Sequence, residues 1–358
     1  MEKNSTSLPL ILLTLLTGIA LGWLLNDLMR QPPAPLAVAP TQAPTLTTLV
    51  PAPSVPVLPV PSATSVSQSP VPSPPPVATL LPATAVPPAS TASAPPSVIG
   101  YAGHRVAAGE TVEQIAARYR TSPALIEAYN LIDAPLRAGR ELVVPLIEPG
   151  DAGETLLVRR GNPTRPWVAL TLDAGASAAP TPRMLDALRE RGITITFFLT
   201  GRWMRANPDL VRRMVADGHE LANHTMNHPD LTTLDDEAIR RELSETEAIL
   251  HDIAPDAVIR PYFRPPYGAY NERVLRVALS EGYLPVYWSL DSLDSVGEPK
   301  TPEFLITRVT QKLSPDDLRG AIILAHCGSE ATADALPDIL DRFAAMGFEV
   351  RKLSDVMQ

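Results

Sequence analysis

One stretch of this chain, residues 31–98, cannot build a hydrophobic core and therefore divides the sequence into separate parts. It contains no Asp, Glu, Lys, Arg or aromatic residue, and it holds 20 of the 40 prolines in the 358-residue protein. Without bulky apolar side chains the stretch cannot offset the entropy of ordering the backbone, and its prolines remove the N–H groups that helices and sheets use. We therefore expect a disordered Pro/Ala/Ser/Thr-rich linker, with the folded structure on its carboxyl side.

An apolar run of 18 residues, Leu8–Leu25, precedes the linker. This length is close to the minimum for a helix that crosses a bilayer, and it is long for the hydrophobic part of a signal peptide. The candidate cleavage site at residues 37–39 is followed by Pro40, an unfavourable residue at that position. We expect residues 1–30 to form an uncleaved, single-pass membrane anchor with the rest of the chain outside the cytoplasm, on the cell-wall side. A cleaved signal peptide is the alternative.

Residues 101–147 have the pattern of a small βααβ domain. Thr111 and Ser122 are predicted to cap its two helices, and residues 142–144 form a closing strand that Pro145 ends. The sequence reads V-x-x-G-E-T-x-x-x-I-A, then Y-x-x-S, then L-x-x-G-x-x-L-x-V-P, and in this it resembles a LysM module. The resemblance implies binding to glycans that contain N-acetylglucosamine, such as peptidoglycan or chitin.

Short apolar runs alternate with helix-like segments over residues 155–358. The runs are Val168–Leu172, Ile195–Leu199, Glu220–Ala222, Tyr262–Phe263, Val286–Trp288, Ala321–Ala325 and Phe348–Val350. Helix starts are indicated at Thr181, Asn207, Thr233 and Thr301, and helix ends at Gly218 and Gly347. Seven βα units predict an α/β fold, a seven-stranded, distorted (β/α) barrel with its active site at the carboxyl ends of the strands.

Charge and cysteine content exclude some functions. Residues 1–30 have no net charge and residues 99–150 carry −1, so −8 of the total of −9 lies in residues 151–358. An acidic main domain argues against a nucleic-acid partner. The single cysteine, Cys327, allows no internal disulfide, and we expect it to be a small buried residue. We expect a monomer.

Five polar motifs follow five of the predicted strands. They are Thr171–Gly175 around Asp173, His224–His228, Arg264–Gly268, Trp288–Asp294 with Asp291, and Leu324–His326. Two histidines four residues apart on a helical turn can share a metal, and a carboxylate beside a histidine can fix its tautomer and raise its pKa. Each motif alone also has a structural explanation, such as a capping aspartate or a buried histidine. Their common position at strand ends favours an active site.

The motifs resemble those of the NodB-homology domain, the polysaccharide deacetylases of carbohydrate esterase family 4, over residues 166–358. The family patterns H-[ST]-x-x-H, R-x-P-x-G and L-x-H are matched fully, and T-F-D-D-G appears as T-L-D-A-G. The resemblance implies that Asp173 is the base that activates water and that His326 is the acid that protonates the leaving amine. It implies further roles for other residues: His224 and His228 as metal ligands, Arg264 orienting Asp173, Asp294 or Asp291 tuning His326, and Tyr267, Trp288, Leu324 and Pro266 forming the oxyanion and substrate pocket.

Ala174 departs from the family pattern, in which an aspartate at this position binds the metal. The resemblance implies a divalent metal, commonly Zn²⁺, and the methyl group of Ala174 cannot ligate it. Water could complete the coordination, another carboxylate could replace the missing ligand, or the domain could lack a metal. We therefore expect a weakened metal site.

Together these features predict metal-dependent removal of N-acetyl groups from cell-wall polysaccharide, above all from peptidoglycan amino sugars. Two alternatives remain open at this point. One is a non-catalytic glycan-binding protein, because of Ala174. The other is an O-acetyl esterase acting on a xylan-like polymer, because the same oxyanion chemistry cleaves esters.

Overall fold

A computed structural model of the protein describes residues 97–358. The predicted anchor at residues 8–25 and the predicted linker up to residue 96 lie outside this range. In the part described, no helix is both long enough and apolar enough to cross a bilayer.

The amino-terminal module, residues 100–147, has the predicted βααβ order. Its elements are β1 (Gly100–Arg105), α1 (Val112–Tyr119), α2 (Pro123–Tyr129) and β2 (Glu141–Leu146). Thr111 caps α1 by accepting a hydrogen bond from the Gln114 N–H, whereas Ser122 occupies the cap position of α2 without such a bond. The prediction that Pro145 ends the second strand was wrong. In this two-stranded sheet a proline is tolerated, because a strand with only one neighbour can turn its nitrogen away from the partner.

The remaining elements alternate between strands and helices. The strands are β3 (Trp167–Ala174), β4 (Thr196–Leu199), β5 (Glu220–Asn223), β6 (Tyr262–Phe263), β7 (Leu284–Pro285), β8 (Leu290–Asp291), β9 (Ile322–His326) and β10 (Glu349–Val350). The helices are α3 (Thr181–Glu190), α4 (Gly201–Ala206), α5 (Pro208–Ala216), α6 (Asp236–Ile253), α7 (Glu272–Ser280), α8 (Pro302–Gln311), α9 (Pro315–Leu318), α10 (Glu330–Ala345) and α11 (Leu353–Val356).

All strand pairs among β3–β10 are parallel, in the order β7-β6-β5-β4-β3-β9-β8, with β10 beside the start of β3. The strands β7 and β8 end this order and do not pair with each other, so the barrel is open on one side. The segment Val158–Gly161 fills the opening: the Val158 N–H donates to Pro285 O and the Gly161 N–H to Gly320 O, at 2.9 and 2.7 Å. The fold is therefore a parallel α/β half-barrel.

One predicted strand and one predicted helix start in this domain were wrong. The run Val286–Trp288 is not a strand but the bend between β7 and β8, where the backbone leaves its bond to β6 and joins β9 through Ser289. Thr233 does not start a long helix. It ends a 3-10 turn, and Asp235 caps α6 instead, because its carboxylate accepts from the Ala238 N–H at 2.7 Å. A long-range hydrogen bond decides the first detail, and a local capping bond decides the second.

The alternation of side chains along β3 separates two functions. Leu170 and Leu172 point into the core that lies against the helices, as does Ala174. Thr171 and Asp173 point to the opposite side, into the interior of the barrel. The lower part of that interior is filled with apolar side chains and its upper part is the candidate site.

Candidate active site

A cleft of about 680 Å³ opens at the carboxyl ends of the strands. Most of the residues that the sequence singled out line it: Asp173, His224, His228, Tyr267, Gly268, Trp288, Asp291, Leu324 and His326. Other lining residues are Gly175, Ala176, Arg202, Asn227, Pro265, Ser295, Val296 and Gly328. The parallel strands bring these groups together because their carboxyl ends all meet at one edge.

Asp173 and Arg264 form a buried ion pair in the floor of the cleft. Arg264 Nη1 lies 2.5 Å from Asp173 Oδ1 and also donates to the Thr171 hydroxyl at 2.9 Å. The Arg264 side chain is fully buried, and burial lowers its pKa even though the adjacent carboxylate opposes this shift. The guanidinium therefore fixes one carboxylate oxygen of Asp173 and leaves Oδ2 facing His224, whose Nε2 is 3.5 Å away.

His224 and His228 bring their rings together in the loop after β5. The ring centroids are 4.8 Å apart and the planes meet at 74°. The helical turn predicted for these residues was wrong, since Thr225 and His228 have left-handed φ angles of 70° and 63°. Side-chain hydrogen bonds hold this geometry: the Thr225 N–H donates to Asn223 Oδ1 at 2.8 Å, and the His228 N–H to the Thr225 hydroxyl at 3.0 Å.

The protonation state of both imidazoles suits metal ligation. His224 Nδ1 lies 2.9 Å from the backbone oxygen of Arg264, which only accepts, so Nδ1 carries the proton and the lone pair of Nε2 faces the cleft. Burial lowers the pKa of His224 to about 4, and burial also lowers that of His228. Both rings are therefore neutral near neutral pH, the form that binds a metal.

Ala174 supplies no third ligand. Its side chain is 1% exposed and belongs to the core against the helices, so it does not reach the cleft. Across residues 97–358 no group of three or more His, Cys, Asp or Glu side chains is arranged to hold a metal ion. The donor set that is present, two neutral imidazoles, fits a divalent ion that takes its other ligands from water or from Asp173.

His326 and Asp294 form the second charged pair of the cleft. Asp294 is buried and accepts three hydrogen bonds, from His326 Nδ1 at 2.6 Å, from the His326 N–H at 2.9 Å and from the Thr332 hydroxyl at 2.6 Å. Burial lowers the pKa of His326, but the hydrogen bond and charge of Asp294 outweigh it, and the net pKa is raised. His326 Nε2 faces the cleft near the Ser295 hydroxyl, 3.4 Å away.

The sequence left open whether Asp291 or Asp294 pairs with His326, and the geometry selects Asp294. Asp291 Oδ1 instead accepts from the Leu293 N–H at 2.7 Å, and its backbone oxygen accepts from Arg308. Asp291 still lines the cleft.

The rigid loop after β6 forms one wall of the cleft. Tyr267 has a left-handed φ of 58°, its ring is stacked edge-on against His228 at 4.5 Å, and its side chain is 72% exposed. The Tyr267 N–H donates to no backbone oxygen of residues 97–358, so it can serve an incoming ligand. Pro266, predicted to line the pocket, is buried behind it, and Pro265 takes that place. Opposite, Trp288 is stacked on Tyr287 with 3.9 Å between ring centroids.

Sequence reasoning missed several residues of the site. Thr171 and Thr332 hold the two charged pairs through their hydroxyls, and a threonine gives no sequence signal for such a bond. Arg202, on α4, is exposed and lines the cleft, and it forms no ion pair with any residue between 97 and 358. In the sequence, Arg202 was indicated only by its position shortly after β4, where no residue that could bind a metal suggested a functional loop.

Comparisons with protein families match two parts of the chain. The model for polysaccharide deacetylases matches residues 160–286, and the LysM domain model matches residues 104–145.

Among curated proteins, the chain is 32% identical over 219 residues to the peptidoglycan-N-acetylmuramic acid deacetylase PdaA of Bacillus subtilis, covering 59% of this chain and 81% of that protein. It is 36% identical over 200 residues to a chitooligosaccharide deacetylase of Rhizobium leguminosarum bv. trifolii, covering 52% and 89%.

Solved structures agree with this similarity. The structure of B. subtilis PdaA matches with a TM-score of 0.53 at 31% identity, over 59% of this chain and 92% of that one. A carbohydrate esterase family 4 pseudoenzyme from Bacillus anthracis matches with a TM-score of 0.53 at 27% identity, over 58% and 70%.

Proposed function

The chain belongs to the polysaccharide deacetylase family, and we propose that its half-barrel hydrolyses N-acetyl groups of a cell-wall glycan. The observation that carries the proposal is the pairing of two oriented groups across one cleft, Asp173 held by Arg264 and His326 held by Asp294. One pair can accept a proton and the other can donate one, as amide hydrolysis requires.

Asp173 would act first. Its Oδ2 is the carboxylate oxygen that Arg264 leaves free, and it would take a proton from the water that attacks the acetamide carbonyl carbon. The free N–H of Tyr267 would donate to the carbonyl oxygen as it becomes negative. Because Arg264 and Thr171 already fix the carboxylate, little reorganisation is needed when the proton moves.

His326 would complete the reaction. Its Nδ1–H would remain hydrogen-bonded to Asp294. Its Nε2 proton would pass to the amide nitrogen as the C–N bond breaks, which releases acetate and leaves a free amine on the sugar. Trp288 and Leu324 would enclose the acetyl methyl group at the side of the cleft.

We propose that His224 and His228 hold a divalent cation, with Zn²⁺ the first candidate. Such an ion would polarise the acetamide carbonyl and make water more acidic. The missing ligand at Ala174 predicts weaker retention than a site with three protein ligands. Dialysis against a chelator followed by metal analysis tests this, because the proposal expects easy loss of the metal and its return on adding Zn²⁺, whereas His224→Ala should bind none.

Peptidoglycan is the proposed substrate, and two features support it. Arg202 forms no ion pair within residues 97–358 and offers a positive charge at the cleft, which favours a glycan with acidic substituents, such as the carboxylates of peptidoglycan, over neutral chitin. The module also has a groove of about 580 Å³, lined by residues 109–113, 127 and 132–136, that would hold a glycan. Arg202→Gln should therefore lower kcat/KM for muropeptides more than for chitooligosaccharides.

We further propose that residues 8–25 anchor the protein and that the Pro-rich segment lets the folded part reach the wall. The support is the length and apolar character of the run and the composition of residues 31–98. Mass spectrometry of the mature amino terminus tests this. A terminus near residue 40 would contradict the anchor.

The main test is acetate release from purified peptidoglycan by the full chain with Zn²⁺, Mn²⁺ or Co²⁺ added in turn. We expect acetate from N-acetylated glycan and no comparable release from acetylated xylan, which separates the amidase from the esterase. Absence of acetate with every metal and every glycan would overturn the proposal.

A second candidate is a glycan-binding protein without catalysis. Ala174 favours it, and so does the similarity to a structure described as a pseudoenzyme. Unchanged binding to peptidoglycan in His224→Ala, together with no metal and no acetate release in the wild type, would support this candidate.

A further inference from the structure

The module and the half-barrel share a buried interface. Val143 of β2 belongs to the apolar cluster that fills the lower barrel, together with Leu284 and Leu353. Tyr101 and Tyr129 pack against the same cluster. The interface is therefore a continuation of the barrel core.

A hydrogen-bonded network locks one side of this interface. Arg140, only 1% exposed, donates to Gln358 Oε1 at 2.6 Å and to Asn130 O at 3.1 Å. In return, Gln358 Nε2 donates to Leu131 O at 2.7 Å. Gln358, which follows the helix α11, is thus tied to the module by its side chain.

A second network locks the other side. The Tyr129 hydroxyl donates to Gly282 O at 2.7 Å and accepts from Arg260 at 3.1 Å. Arg260 is itself paired with Glu247 at 2.7 Å, and its guanidinium lies over the Tyr283 ring at 4.3 Å. Gly282 has a φ of 81°, and a Cβ there would overlap the Tyr129 hydroxyl. The apolar contact therefore lies between two hydrogen-bonded networks.

The loops of the barrel that bond to the module precede strands. Arg260 precedes β6 and Gly282 precedes β7. The carboxyl-terminal helix α11 covers the starts of β4 and β5, where the Leu353 N–H donates to the Thr196 hydroxyl at 2.8 Å. The catalytic groups lie at the carboxyl ends, so the module and the cleft occupy opposite ends of the barrel.

The length of β3 sets a minimum separation between the two ends of the barrel. From Trp167 to Asp173, β3 rises about 3.3 Å per residue, or about 20 Å in all. The groove of the module is lined only by module residues, so docking leaves it open. To reach the groove, a glycan bound in the cleft would have to pass around the barrel, over at least about 20 Å.

We propose that this protein holds two glycan strands at once: the module grips one strand, and the cleft, fixed rigidly at the far end of the barrel, deacetylates another. This inference rests on the proposed function of each site. In this arrangement the module keeps the protein on the wall, and this retention raises the effective concentration of neighbouring strands at the cleft. The module takes no part in binding the strand that reacts.

A groove-filling variant tests the proposal in the full chain. Ala134→Trp fills the groove, and Ala138→Trp on the same loop is the matched control, since Ala138 is exposed and outside the groove. We expect Ala134→Trp to lower acetate release from insoluble sacculi at least tenfold and to lower kcat/KM on soluble chitotetraose much less. Ala138→Trp should change neither.

Two outcomes would overturn the proposal. Equal losses on both substrates would mean that one strand occupies both sites, and no loss on either would mean that the module does not retain the wall. If the wild type releases no acetate at all, the proposed activity fails but the two-strand arrangement is still tested by calorimetry with chitotetraose. Two sites per chain in the wild type and one in Ala134→Trp support it, and one site in both contradicts it.

Discussion

A buried arginine lies at each end of the barrel, one in the barrel itself and one in the module that packs against it. At the carboxyl end, Arg264 faces the carboxylate of Asp173 and fixes it beside an open cleft. At the amino end, Arg140 faces only neutral acceptors, Gln358 Oε1 and Asn130 O, inside a closed interface. One arginine orients a charge for chemistry and the other joins two domains. Both arginines are buried, so burial does not distinguish them. They differ in the acceptor, which is a carboxylate at the cleft and a pair of neutral oxygens at the domain interface.

The largest effect is expected when the carboxylate charge of Asp173 at the cleft is removed. Asp173→Asn keeps the shape but not the base, and we expect the turnover number to fall by about 10³-fold, within the usual range for a general base. The matched control is Asp291→Asn, which also lines the cleft but serves the backbone. Steady-state acetate release measures both, and equal losses would refute the assignment of Asp173.

The next largest effect is expected on stability, when each of the two buried arginines is replaced by methionine. Arg264→Met leaves the Asp173 carboxylate buried and unpaired, which we expect to cost about 3–5 kcal/mol of unfolding free energy. Arg140→Met leaves only neutral acceptors without a donor, and the expected cost is about 1–3 kcal/mol. Urea denaturation compares them. A larger loss for Arg140→Met would reverse the interpretation.

The interface can be probed with a pair of glycines. Gly282 and Gly192 both have positive φ, so alanine strains each backbone, but only at Gly282 would the new Cβ overlap a neighbour. We expect Gly192→Ala to cost about 1 kcal/mol and Gly282→Ala about 2–4 kcal/mol, because overpacking adds to the strain. Thermal unfolding measures the difference, and identical shifts would mean that the interface is loose.

The pH dependence sharpens the account of the acid. His326 must be protonated to donate, so activity falls as the pH rises through its pKa, which Asp294 raises. Asp294→Asn removes that charge, and the alkaline limb of the kcat profile should move to lower pH. Thr332→Val removes one hydrogen bond to Asp294 but leaves its charge, so it should move the limb much less. An unmoved limb in Asp294→Asn would assign the acid to another group.

Much of the fold could be predicted because polar motifs in the sequence directly follow the apolar runs that form the strands. Asp173 and Arg264 follow apolar runs, and parallel strands necessarily bring them to one edge. The loop at His224 could not be read as left-handed, because side-chain bonds from Asn223 and Thr225 determine it. Likewise, β7 and β8 are too short and too dependent on their neighbours to be separated in the sequence.

The joint between module and barrel lay beyond sequence reasoning altogether. Arg140 and Gln358 are 218 positions apart; Arg140 stands at an unspecified position of the LysM pattern, and Gln358 belongs to no motif. Burial of Ala174 was equally hidden.

The most direct measurement of the central claim is mass spectrometry of muropeptides from sacculi incubated with the full chain or with Asp173→Asn. The account predicts sugars that have lost their acetyl group with the wild type, and intact sugars with the variant. Fully acetylated sugars with the wild type, under conditions in which His224 and His228 carry a metal, would contradict it.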